Sequence, residues 1–194
     1  MFLAADLSLE LGNQPKTNGI LDNSSVKGVN HMSAQEKKYI LVETIEFSGH
    51  PNILGTQRNT IEVTKVAEIS RRADCIIGVR ASKACADLSP NLRKHIQAGG
   101  ELDFSIIVGD TCFAFSGRGQ RELDLSDLHE LVLRRSDFVS SRTAAIYCDA
   151  AAVDLPRKMI ELLQDEHAVG TLIISAVDPR DSSGVITSPL FIES

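Results

Sequence analysis

From Tyr39 to Phe47 the chain runs Tyr-Ile-Leu-Val-Glu-Thr-Ile-Glu-Phe, apolar at first and alternating later. β-Branched and aromatic residues in that arrangement predict a strand. Ser48 to Gly55 breaks it with two glycines and a proline, the chemistry of a loop. Thr60-Ile61-Glu62-Val63-Thr64 alternates without exception. It predicts a strand with Ile61 and Val63 facing the core and Thr60, Glu62 and Thr64 sharing the other face. Cys75-Ile76-Ile77-Gly78-Val79 predicts a third, more buried strand. Ser89 to Gly100 predicts a short helix, with a serine cap, proline at the first helical position and glycine after the end.

Leu102–Val108 and Thr111–Phe115 read as a hairpin around Gly109-Asp110. A glycine-rich turn over Ser116–Gln120 leads to an expected strand at Leu123-Asp124-Leu125. Further strands are predicted at Leu131-Val132-Leu133 and Ala144–Tyr147, and a last one over Thr171–Val177. A second helix is predicted from about Asp149 to Gln164, with Leu155, Met159 and Leu162 or Leu163 on one face. Pro156 conflicts with it, because proline in a helix interior costs about 3 kcal/mol; either the helix starts near Asp154 or it is kinked. Strands follow strands without βαβ alternation, so a doubly wound parallel sheet is disfavoured. The fold expected is mainly β (α+β), an antiparallel sandwich or barrel-like domain with two short peripheral helices.

The ends of the chain read differently. Gly12 to Asn30 is rich in Gly, Asn, Ser and Lys, a composition that predicts a flexible arm over residues 1–37. Met32 offers an alternative start, just before the first strong strand signal. One domain is expected over 38–178 and a tail over 179–194. The first residues lack the basic region of a secretory signal, and no apolar run reaches the ~18 residues of a membrane span. The cytoplasm is therefore the expected compartment. A hydrophobic content of 43% is enough for a packed core. Net charge is −6, from 20 basic and 26 acidic residues, which argues against coating nucleic acid by bulk electrostatics but leaves room for a local basic patch.

Candidate chemistry is sparse. Cys75, Cys85, Cys112 and Cys148 form no close pair of the kind zinc sites use, and three lie in or beside apolar runs, so reduced core cysteines are expected. No Gly-x-Ser-x-Gly elbow, His-Glu-x-x-His helix, EF-hand loop or Walker motif is present. No metal or cofactor is implied. Gly117-Arg118-Gly119 does not open a helix and reads as a turn. His50, in Ser48-Gly49-His50-Pro51-Asn52, is a side chain that titrates near neutrality on a loop; it serves either chemistry or the carbonyls of a tight turn. Glu62 with Thr60 and Thr64 lines either a site or a solvated sheet face. Arg134, Arg135 and Arg142 lie close enough in sequence to hold a phosphate or carboxylate bidentately, or to pair with Asp127, Glu130 or Asp137.

Five segments in order carry a family resemblance: Gly49–Ile53, Thr60–Lys65, Asp74–Val79, Arg134–Phe138 and Arg142-Thr143. Together they resemble an archaeal family labelled as a domain of unknown function, number three hundred and seventy-one, from about Tyr39 to Ile174. The resemblance implies a mainly β fold and an archaeal, cytoplasmic setting, and it carries no activity. Members of that family often have a second histidine shortly after the first; here Gln57 or Arg58 occupies that region, which weakens any two-histidine metal or acid–base scheme.

The leading expectation is a binding module in which His50, Thr60, Glu62, Thr64, Arg134, Arg135 and Arg142 hold an anionic ligand, a nucleotide or an RNA segment. The first alternative is an enzyme using His50 as general acid or base, oriented by Glu62. The second is an interaction subunit using exposed apolar surface at Phe138 or Leu190-Phe191.

Overall fold

The computed structural model describes residues 37–180. The predicted arm, except Lys37, lies outside that range, as does the tail beyond Arg180 with Leu190-Phe191. Eight strands and two helices follow in order: β1 (Tyr39–Ser48), β2 (Thr60–Thr64), β3 (Ile76–Gly78), α1 (Pro90–Gln97), β4 (Glu101–Val108), β5 (Thr111–Arg118), β6 (Glu130–Arg134), β7 (Thr143–Ala145), α2 (Arg157–Leu163) and β8 (Val169–Val177). A 3-10 turn precedes each helix, at Cys85–Asp87 and at Ala152–Asp154. Among the described residues, no helix is long and apolar enough to cross a membrane.

The strands form two four-stranded sheets, β1-β8-β4-β5 and β3-β2-β6-β7, with no closed barrel. The first is antiparallel throughout. The second pairs β2 with β6 antiparallel at its centre, while β3 and β7 join its edges in parallel. The mainly β, α+β expectation therefore holds, with mixed pairing in the second sheet. Inward residues of both sheets, among them Ile45, Phe47, Ile61, Val63, Phe104, Leu131 and Ile174, belong to one hydrophobic cluster.

The two halves of the domain repeat one plan. β1–β2–β3–α1–β4 and β5–β6–β7–α2–β8 have the same order, and each half places its central strand beside its twin, β2 on β6 and β4 on β8. The repetition reaches single hydrogen bonds. Ser48 and Val79 bridge as Arg118 and Ile146 do. Gly49 N donates to the Ala168 carbonyl as Gly119 N donates to that of Gly100. Ala84 N is capped by Asp87 as Ala151 N is by Asp154. Gly55 and Leu125 share a left-handed backbone, at φ 58° and 56°, and so do Arg80 and Tyr147, both at 50°.

Three expectations are corrected. The second helix does not span 149–164: Ala152–Asp154 is a separate 3-10 turn and Pro156 caps a helix that begins at Arg157. At the cap, ahead of the first turn, proline's missing N–H breaks no helical hydrogen bond, so the sequence conflict disappears. Leu123-Asp124-Leu125 is a loop; both leucines are fully buried, but left-handed Leu125 breaks the extended path. β5 runs on through Gly117 to Arg118, so the turn begins only at Gly119. The helix predicted from Ser89 stands, with the Ser89 hydroxyl accepting from Leu92 N.

Candidate functional site

The alternation in β2 does place Thr60, Glu62 and Thr64 on one face, directly across from Arg134, Val132 and Glu130 of β6. That face is not solvated: Thr64 and Val132 are 1% exposed and Glu62 is 3%. A parallel neighbour requires a crossover connection, and the irregular segments 65–75 and 135–142 supply one for each half. The second sheet is thus buried on both sides, with an apolar inner face and a polar outer one.

A charged cluster occupies the outer face. Glu62 Oε2 accepts from the Cys75 thiol at 3.3 Å and from an Arg142 terminal nitrogen at 3.5 Å. The same Arg142 nitrogen donates to Glu130 Oε2 at 2.5 Å. Arg134 donates through Nε to the Thr143 hydroxyl and lies 4.9 Å over the half-exposed Phe138 ring. Its two terminal nitrogens have no hydrogen-bond partner among the described residues. Burial, helped by the negative charge of Glu130, pushes the Glu62 carboxyl above the usual range. Burial and then Glu62 push the Cys75 thiol up to about 12. Arg142 is shifted upward by its hydrogen bond to Glu130, whereas burial and the neighbouring Arg142 lower Arg134. A carboxylic acid that resists ionisation beside two guanidiniums is an arrangement typical of functional sites.

The structure brings together only part of the predicted set. Glu62, Arg134 and Arg142 converge, and Thr60 approaches Cys75. Thr64 turns its hydroxyl to the His129 carbonyl and to Val66 N, which anchors the start of a crossover. Arg135 leaves the cluster: it donates to Asp154 at 2.6 Å and to the Arg58 and Asp149 carbonyls. His50 lies elsewhere too. Its Nδ1 accepts from Asn52 N at 3.0 Å and its Nε2 faces Glu68 at 3.5 Å. No hydrogen bond joins it to Glu62, so the predicted His50–Glu62 pairing is absent.

The Gly49-His50-Pro51-Asn52 loop acts as a clamp. His50 reaches Glu68 and Asn52 Nδ2 donates to the Ile69 carbonyl, both on the crossover that joins β2 to β3. His50 N donates to the Leu163 carbonyl at the end of α2. Gly49 is required by that approach, since a Cβ there would collide with the Leu163 and Asp165 carbonyl oxygens. Cys75 is the site residue that sequence reasoning missed, whereas Glu130 is an ion-pair partner it had named for the arginines, here paired with Arg142. Cys75 stands next to β3, whose Ile76 pairs in parallel with Glu62, and its carbonyl accepts from Glu62 N at 3.0 Å, a register that no alternation pattern reveals. No group of His, Cys, Asp and Glu among the described residues has the geometry to hold a metal ion.

The profile of the family described as "Domain of unknown function (DUF371)" matches residues 45–176. The chain belongs to this family. The match covers both halves of the repeat and nearly every strand, so the DUF371 domain is the whole duplicated unit rather than one half. An uncharacterized protein of Methanocaldococcus jannaschii, MJ0206, is 27% identical over 121 residues, which cover 62% of this chain and 90% of the relative. The family match over residues 45–176 contains the clamp, both crossovers and the charged cluster.

Proposed function

We propose that the outer face of the second sheet binds a small anionic ligand, a phosphate- or carboxylate-bearing metabolite such as a nucleotide, through Arg134 and Arg142. The observation that carries this reading is the pair of terminal nitrogens on Arg134. Among the described residues they lack partners, although Nε and the guanidinium plane are fixed by Thr143 and Phe138. A guanidinium held in one orientation loses little entropy on binding and presents a bidentate fork. Glu62 supports the same reading. Retaining a buried acid that its surroundings disfavour costs stability, a cost that functional sites commonly carry. RNA fits less well, because the chain carries −6 overall and the two arginines are matched locally by Glu62 and Glu130.

Isothermal titration with orthophosphate, citrate and ribonucleotides tests the proposal. Wild type binds at least one of them, and Arg134→Ala weakens that binding about tenfold, as loss of one charge-assisted bidentate contact implies. Equal binding by wild type and Arg134→Ala overturns it, as does binding of RNA in preference to every small anion. The acid–base alternative survives only in altered form. With His50 engaged by Asn52 and Glu68, the shifted group available for proton transfer is Glu62.

A further inference from the structure

We propose that a cleft beside β5, lined by Lys37, Asp103, Ser116, Arg118, Tyr147 and Asp149, is a second binding site, distinct from the charged cluster, and that it takes a ribonucleoside. The cleft is open to solvent, has a volume of about 340 Å3 and adjoins another of about 270 Å3 that shares Lys37, Asp103, Ser116 and Asp149. Small-ligand sites typically start at about 300 Å3.

The repeat provides an internal control. Each half must satisfy the N–H at one position of its first strand from a side chain that follows its third. The first half does so with a neutral hydroxyl, Ser82 Oγ to Glu46 N at 3.0 Å. The second uses a carboxylate, Asp149 Oδ1 to Ser116 N at 2.9 Å. Folding therefore does not demand an acid at 149. The same comparison sets Arg118 against Ser48 and Tyr147 against Arg80, at positions whose backbone is alike in both halves. Arg118, Tyr147 and Asp149 each replace a blander or differently charged residue in the twin, at positions whose backbone is alike.

The replaced groups define the ligand. The Arg118 guanidinium lies 4.5 Å over the Tyr147 ring, which is 49% exposed. Such a layer extends by stacking a planar heterocycle. Asp149 has a second oxygen with no partner among the described residues, and carboxylates are the usual acceptors for ribose hydroxyls. Asp103 is held by Lys37, Tyr39 and Ser116, so it fixes the cleft wall and its charge is already matched. Arg118 is then balanced by Asp149, with Glu101 at the rim. A local balance tipped towards acid disfavours a phosphate and favours the uncharged nucleoside.

Titration of the full chain with adenosine, guanosine, cytidine and uridine, followed by saturation-transfer NMR and calorimetry, tests this. Asp149→Ser installs the residue that serves at the twin position, so the fold should persist, and a thermal melt checks that it does. The expected result is binding of at least one ribonucleoside at 1 mM or tighter, about tenfold weaker in Asp149→Ser, with the 2′,3′-dideoxynucleoside equally weak on both proteins. Tyr147→Arg should weaken all arms together. Arg134→Ala should leave nucleoside binding unchanged, which separates this site from the anion site. Absence of binding by all four ribonucleosides overturns the proposal, and so does binding that Asp149→Ser and Tyr147→Arg both leave intact.

Discussion

Glu62 is the residue on which the polar face turns, and its energetics can be tested without knowing any ligand. Its folded-state carboxyl is raised by burial and by Glu130. The sign of the linkage follows: its contribution is present below the ordinary carboxylate range and is lost as pH rises through the raised value. Glu62→Gln should therefore lie within about 1 kcal/mol of wild type at pH 4 and be the more stable protein at pH 7, by urea unfolding at the two pH values. A wild type that gains on the glutamine variant between pH 4 and 7 would contradict the raised carboxyl. Arg142→Ala works in the opposite direction. It should cost about 1–2 kcal/mol at neutral pH, below the ~3–5 of a fully buried pair because Arg142 is partly exposed. The Glu62→Gln change should recover much of that loss. The thiols give a third reading at this scale. Burial pushes Cys75, Cys85 and Cys148 each to about 12, so they stay protonated at pH 8 and should resist a thiolate-selective disulfide reagent. Cys112 is exposed and should react within the folded protein, giving one fast thiol of four. The alternation of residues 60–64 was enough to group Thr60, Glu62 and Thr64. It carried no information about the crossovers that bury them, because those segments have no periodicity of their own.

At the scale of elements, helix ends and glycines do most of the specifying. Ser89 caps α1 through Leu92 N, and Ser89→Ala should cost about 1 kcal/mol in thermal or chemical unfolding. The strand and helix signals were legible because they depend on local chemistry: alternation in β2, serine then proline before α1. The failures were equally physical. Residues 149–164 read as one helix because apolar spacing ignores the change from a 3-10 turn to a helix at Pro156. Leu123-Leu125 read as a strand because two buried leucines two apart also fit a loop with one left-handed residue. The internal repeat is written faintly. Asp87-Leu88 and Asp154-Leu155 precede the two helices, and Gly49 and Gly119 both meet a helix end. Likeness vanishes at the site itself, where Glu62 corresponds to Val132 and Cys75 to Arg142. Gly49→Ala is the sharpest element-level test. Overpacking at a well-filled contact costs roughly 1–3 kcal/mol, and the loss should appear although His50 and Glu62 are untouched.

At the scale of the whole molecule, the domain of residues 37–180 is expected to unfold as one cooperative unit, despite its duplicated plan. Neither half owns a sheet: β4 and β8 form the centre of the first, β2 and β6 the centre of the second, and each central pair joins opposite halves. Separating the halves would strip β4 and β8 of both neighbours, leave β2 and β6 unpaired along one edge each, and open the shared core. Repeat proteins whose units touch only their neighbours can unfold in stages; this topology denies that route. Native-state hydrogen exchange should accordingly place Val63, Leu133, Ile106 and Leu172 in a single slowest class that opens only with global unfolding. The two crossovers, 65–75 and 135–142, should exchange earlier, since irregular backbone and exposed side chains hold them less firmly. A fragment ending near Asp110 should fail to give a cooperative melt by circular dichroism. Should that fragment instead fold alone, or should β4 and β8 exchange at distinct free energies, the halves would be independent and the polar face would have to be assembled from two separately stable pieces. The interdigitated strand order predicts the contrary: the two sheets and the core they share lose their structure together.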